Sequence, residues 1–143
     1  MPSRAVVDTN VFVSALLKPG SLPDAVAQAI RRNVLVPVVC AEIIEEYEAV
    51  LRRPRLGLPE QEVADLLGLL KAQAQWVHIT QYLPALKVPD PSDWPFIATA
   101  LAADCAVITG NAKHFPKRLG VGVMTVREWL DGATGSPVFG TTK

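Results

Sequence analysis

Asp8 follows Val6-Val7 and leads into Thr9-Asn10. Asp90 and Asp93 bracket Pro91-Ser92. Thr109-Gly110-Asn111 closes an apolar run, and Glu42, Glu45, Glu46 and Glu48 crowd one short segment. Each has an ordinary structural use. Asp8 can cap the helix that follows it, and Gly110 with Asn111 suits a turn. An acid at Asp93 complements the dipole at a helix start, and the four glutamates suit a solvated face. Together they make a different case. Several separated carboxylates and one amide, gathered at strand ends and helix starts, would repel one another unless a cation sat among them. An all-oxygen donor set suits Mg²⁺ or Mn²⁺, which keep several waters. Such an ion can generate hydroxide and offset charge on a phosphoryl transition state. The competing chemistries lack their residues. His78 and His114 are isolated, so there is no zinc spacing, no Gly-rich phosphate loop is present, and no Ser-His-Asp arrangement is readable.

Positioning these groups requires alternating strands and helices, and the hydrophobic pattern predicts them. Residues 4–8 read as a strand and Thr9–Leu17 as a helix, with Val11, Phe12, Ala15 and Leu16 at helical spacing. A second helix runs from Pro23 or Asp24 to Arg32. Leu35–Val39 reads as a second strand, whose internal Pro37 suggests a strand near its end or at a sheet edge. Over residues 41–53 the helical period returns, with Ile43, Ile44, Tyr47, Val50 and Leu51 in one stripe, ended by Pro54 and Gly57. Glu45 lies farthest from that stripe, while Glu46 and Glu48 flank it on opposite sides; periodicity does not choose between those two. Pro59 opens a helix to Gln75 carrying Val63, Leu66, Leu67 and Leu70, and residues 76–79 read as a third strand. Pro95 lacks an N–H and belongs in the first turn of a helix over 93–103, which makes Ser92 the cap and puts Asp93 inside that turn. Residues 105–109 and 121–125 are strands joined by a loop, followed by a short helix over 126–130. The pattern predicts an α/β fold with a mostly parallel sheet of four or five strands and helices on both faces. Ligands of such sheets bind at the carboxyl ends of the strands. Residues 1–132 are expected to form one domain and 133–143 a loosely ordered tail.

Composition bounds the function classes. The chain has 143 residues, 50% of them hydrophobic and 20% charged, which suits one folded domain and excludes a disordered chain. Fourteen basic residues balance fourteen acidic ones, which excludes a nucleic-acid binder held by charge alone. Cys40 and Cys105 sit in apolar runs and read as reduced core residues rather than a disulfide framework. No apolar run approaches the roughly 20 residues of a membrane span, and no leader pattern precedes residue 6. A soluble, cytoplasmic protein is expected.

Four segments, in order, resemble the PIN-domain family: Val6-Val7-Asp8-Thr9-Asn10-Val11-Phe12; Glu46-Tyr47 with Val50-Leu51-Arg52-Arg53-Pro54; Asp90-Pro91-Ser92-Asp93; and Thr109-Gly110-Asn111-Ala112-Lys113-His114-Phe115-Pro116. The resemblance is strongest to bacterial members described as toxins of toxin–antitoxin systems, relatives of the VapC-like toxins. It implies a three-layer PIN-like fold and an endoribonuclease dependent on Mg²⁺ or Mn²⁺. It assigns Glu46 as the acid of the acidic helix, Asp8 and Asp93 as the other metal ligands, and Asn111 as a fourth catalytic position acting directly or through water. Asp90, Thr9, Asn10 and Thr109 are auxiliary. Two positions depart from the family pattern: many members carry Asp where Asn111 stands, and a small hydroxyl residue where Cys40 stands. The basic clusters Arg52-Arg53-Arg55 and Lys113-Lys117-Arg118, together with His114, are candidate RNA contacts, although surface solubility explains charge clusters on a neutral chain equally well. The implied partners are RNA, a cognate antitoxin protein and a second copy in a homodimer. Apolar positions over 9–17 and 60–74 independently suggest the dimer. Two alternatives compete. An aspartate-dependent phosphohydrolase would use Asp8 as nucleophile, but such enzymes commonly show Asp-x-Asp and the third position here is Asn10. A degenerate, non-catalytic PIN module that only binds a partner protein is kept open by Asn111.

Overall fold

The computed structural model describes residues 3–79, 91–115 and 120–133. Five parallel strands form its centre: β1 (Ser3–Val7), β2 (Leu35–Val39), β3 (Gln75–Trp76), β4 (Ala106–Ile108) and β5 (Val123–Met124), in the spatial order β3-β2-β1-β4-β5. Ala5 pairs with Pro37 on one side and Ala106 on the other, and Val7 pairs with Ile108. The chain builds outward from β1 through β2 to β3, then crosses back to lay β4 and β5 on the other side. A crevice therefore opens between β1 and β4 at their carboxyl ends, where the winding reverses.

Six helices accompany the strands among the described residues: α1 (Thr9–Leu17), α2 (Leu22–Arg31), α3 (Ala41–Leu51), α4 (Glu60–Gln73), α5 (Trp94–Ala103) and α6 (Val126–Ala133). Successive strand side chains point to opposite faces. Val6 and Val7, Val38 and Val39, and Val107 and Ile108 are all fully buried, so both faces of the sheet are covered. The α/β architecture with a parallel sheet is as the apolar pattern predicts, and α1 and β2 have the expected limits. None of the described helices is long and apolar enough to cross a membrane.

Several expectations need correction. β2 is an interior strand, flanked by β1 and β3. Pro37 is tolerated there because the β3 ladder begins only at Val38, so Pro37 has a registered neighbour on the β1 side alone. The third strand is the dipeptide Gln75–Trp76 rather than residues 76–79. Asp93, not Ser92, stands at the cap position of α5, because a 3₁₀ turn over Pro91–Asp93 runs directly into the helix. Val63, Leu66, Leu67 and Leu70 of α4 are consumed by the core, leaving Leu17 as the exposed large apolar residue of the two segments expected to form an interface. α6 continues to Ala133, which takes the first residue of the tail expected over 133–143; residues 134–143 lie outside the described residues.

An aromatic cluster fixes the helices around the crevice. Tyr47 of α3 meets Phe12 of α1 edge-on, with ring centroids 5.1 Å apart, and Phe96 of α5 at 6.1 Å. All three rings are fully buried. The Tyr47 hydroxyl donates to the Val7 carbonyl, one residue before Asp8. Burial, then the neighbouring Asp8, pushes the Tyr47 phenol well above its usual range, so it stays a donor. Tyr47→Phe keeps the ring packing and removes this one bond. It is expected to cost about 1 kcal/mol in urea unfolding with an unchanged m-value; a cost below roughly 0.3 kcal/mol would show that the hydroxyl anchors nothing.

Candidate active site

Asp8 is the first residue past β1. It stands at the N-cap of α1 with extended backbone, φ −63° and ψ 141°, yet its side chain makes no capping hydrogen bond. The carboxylate is used elsewhere. Its backbone N–H donates to the Ile108 carbonyl at 2.9 Å, continuing the β1–β4 ladder by one step. That step sets Asp8 beside Thr109. The buried Thr109 hydroxyl donates to Asp8 Oδ2 at 2.7 Å and accepts the Asn111 backbone N–H at 3.0 Å. One hydroxyl thus couples the end of β1 to the loop after β4. The capping role for Asp8 is excluded as a use of its carboxylate, although the residue occupies the capping position.

The Thr109-Gly110-Asn111 segment is not a left-handed turn. Asn111 has φ −138°, and among the described residues positive φ falls at Asn33, Asp104 and three glycines other than Gly110. Asn111 precedes a 3₁₀ turn over Ala112–His114 without capping it through its side chain. Nothing in this backbone demands Asn over Asp.

A cleft of about 190 Å³ gathers Asp8, Glu46 and Asp93 with Thr9, Asn10 and Arg53. The three acids come from the end of β1, the middle of α3 and the start of α5. Asp8 and Asp93 are buried and Glu46 is half-buried, whereas Glu45 is exposed. The two flanking glutamates of α3 are separated by their surroundings. Glu48 faces Lys71 of α4 at 3.3 Å and Arg52 at 3.6 Å, away from the acids of the cleft. Ser92, Val50 and Phe96 also line the cleft. The sequence pattern used these three as a cap, a core stripe position and a helix-interior residue, and nothing in residue type marked them for the site. On the other side of Asp8, a second cleft of about 230 Å³ is lined by Asn10, Ser14 and Asn111 among others.

The donor chemistry of this site fits a hard divalent cation. All its candidate ligands are oxygens, and the Thr9 hydroxyl is buried beside Asp8 with no hydrogen-bond partner. The carboxylates share the cleft without closing on a point: among the described residues, no three acidic, histidine or cysteine side chains already stand close enough to hold an ion. Mg²⁺-type sites need only one or two carboxylates, with water completing the shell. Asp90 lies outside the described residues, as do Lys117, Arg118 and the side chain of His114. Lys113 is exposed and lines a separate groove with Phe115 and Val121. Cys40 stands at the N-cap of α3 without capping it, and burial pushes its thiol up. Cys105 is likewise unbridged.

Among known proteins, residues 4–113 match the family model described as PIN domain. No curated protein matches the chain. The matched span contains every acid of the cleft.

Thr109→Val tests the coupling of the two strand ends. The shape is kept while the Asp8 carboxylate and the Asn111 N–H lose their shared partner. Unfolding is expected to cost about 1.5–3 kcal/mol more than a surface Thr→Val control, as for hydrogen bonds to charged groups. Thr109→Ser should restore most of it. A Thr109→Val protein as stable as the control would mean that the hydroxyl does not hold Asp8.

Proposed function

Because the chain belongs to the PIN-domain family, whose members are generally metal-dependent nucleases, we propose that it is an endoribonuclease that hydrolyses RNA phosphodiesters in the cleft between β1, α3 and α5. The observation that supports this most is the cleft itself. Three carboxylates from distant segments line it, and the one at its centre, Asp8, is held by Thr109 instead of capping its own helix.

Asp8, Glu46 and Asp93 would hold Mg²⁺ or Mn²⁺, with Asn111 contributing directly or through water. When bound, the ion supplies a water of lowered pKa and neutralises charge on the phosphoryl oxygens. The chain's own groups have separate tasks. Thr109 engages Oδ2 of Asp8 and so leaves Oδ1 for the ion. Thr9, with its buried hydroxyl, and Asn10 orient water or substrate at the cleft wall. Asp90, outside the described residues, is proposed as an auxiliary acid. Asn111 contributes a neutral oxygen where many relatives carry a charge, so the site works with one negative charge fewer. The biological setting we propose is the toxin component of a toxin–antitoxin system. Its partners are RNA, a cognate antitoxin protein and a second copy of the chain, with the exposed Leu17 and Leu22 at the α1–α2 corner available as apolar contacts.

Cleavage of structured and single-stranded RNA by purified protein, with and without Mn²⁺, tests the reading. Metal-dependent cleavage is expected. Glu46→Gln should lower it at least about tenfold, the scale on which altered metal coordination acts. Glu45→Gln, on the exposed face, should leave it unchanged. Equal activity of the two variants would remove Glu46 from the site. Release of phosphate from small phosphoesters would favour the phosphohydrolase, and inertness toward both substrates would favour the binding module.

A further inference from the structure

Glu46 and Val50 share one face of α3 at i, i+4 spacing, Arg53 follows just past the helix end, and all three line the cleft with Asp8 and Asp93. Arg53 stands two residues beyond Leu51, where α3 ends. Its backbone is constrained. Pro54 disfavours helical geometry for the residue before it, and Arg53 is extended, with φ −64° and ψ 126°. Its N–H still bonds the Val50 carbonyl at 3.1 Å, and the following 3₁₀ turn over Pro54–Leu56 ends on Gly57 at φ +62°.

The adjacent arginines differ in what they already hold. The Arg52 guanidinium donates to both carboxylate oxygens of Glu60, at 2.9, 3.1 and 3.3 Å, and lies 3.6 Å from Glu48. The Glu60 bonds are the main reason its pKa is raised. Arg53 makes no ion pair and no side-chain hydrogen bond with any described residue. It does so in a cleft shared with three carboxylates. The second cleft, across Asp8, has no basic residue in its lining.

Resting on the nuclease reading, we propose that Arg53 binds the substrate strand: its guanidinium takes a backbone phosphate flanking the one at Asp8, so that the RNA lies along α3 from Glu46 toward Pro54. A polyanion entering a cleft of carboxylates meets repulsion that one fixed cation at its end relieves. The planar guanidinium suits bidentate contact with phosphate oxygens. Arg52 is already engaged by Glu60 and Glu48 and does not touch the strand. The cationic grip is one-sided: the second cleft offers a strand no basic group, its polar lining apart from Asp8 being Asn10, Ser14 and Asn111.

The test compares the full-length wild type with Arg53→Ala, Arg53→Lys and Arg52→Ala, each confirmed folded by its melting curve. Binding of a labelled single-stranded RNA is read by fluorescence anisotropy across a salt series, with Ca²⁺ in place of Mn²⁺ and strand integrity checked on a gel. Cleavage is read separately with Mn²⁺. Arg53→Ala is expected to weaken binding at least fivefold and to reduce the slope of log K against log salt by about 0.7, the loss of one phosphate contact on a single strand. Arg53→Lys should keep the slope, and Arg52→Ala should bind within twofold of wild type. Equal losses for Arg52→Ala and Arg53→Ala, or binding by Arg53→Ala within twofold of wild type, would overturn the assignment while leaving the nuclease reading intact if wild type cleaves. Arg53-dependent binding without Mn²⁺-dependent cleavage would overturn the nuclease reading and keep the strand contact. No RNA binding by wild type would overturn both.

Discussion

The adjacency of β1 and β4 is the constraint on which the rest depends. Asp8 and Thr109 are 101 residues apart in the chain, and only the registered pairing of Val7 with Ile108 makes them neighbours. That pairing follows from reversing the winding after β3, which also opens the crevice at the carboxyl ends of the two strands. Asp8 could have closed its own helix, as aspartates at that position commonly do. Instead its carboxylate is drawn across the sheet by a buried hydroxyl, and α1 begins without a side-chain cap. A local stabilising option is left unused at the point where the chemistry is proposed, the kind of conflict expected at functional sites.

The remaining acids reach the same place because of how α3 and α5 are seated. Tyr47 ties α3 to the end of β1 through Val7 and touches Phe12 and Phe96 on the two neighbouring helices. Burial of Tyr47 fixes the rotation of α3, and that rotation sets Glu46 toward the cleft and Glu48 toward Lys71. The polar face of one helix is thereby divided by its buried stripe into a cleft-lining side and an ion-paired side. Past the end of α3, Arg53 lines the cleft while Arg52 is held by Glu60. Glu46 of α3 and Arg53 beyond its end give the cleft both an acid and a base.

Much of this was legible in the sequence because it rests on periodicity. The stripe of Ile43, Ile44, Tyr47, Val50 and Leu51 is buried as its spacing predicts, and so is that of α4. Asp8 and Thr109 were recognisable as strand ends, and the match to the PIN family over residues 4–113 covers the first three motifs and the start of the fourth. What was not legible depends on partners distant in sequence. Periodicity left Glu46 and Glu48 equivalent, because the difference lies in Lys71, 23 residues away. Arg52 and Arg53 looked alike because Glu60 lies across a turn. Pro37 suggested an edge because the shortness of β3 cannot be read from β2. Ser92 looked like the cap because the 3₁₀ turn that displaces it has no strong sequence signal.

We propose that Asp8, Glu46 and Asp93 form one cation site, with Asp8 oriented by Thr109. The most direct measurement is anomalous diffraction from crystals of the protein soaked in Mn²⁺. A peak is expected within coordination distance of Asp8, with Glu46 or Asp93 as a second ligand directly or through water, and Thr109 still bonded to Asp8 Oδ2. A Mn²⁺ peak confined to surface carboxylates such as Glu45, with the cleft empty at saturating metal, would contradict it.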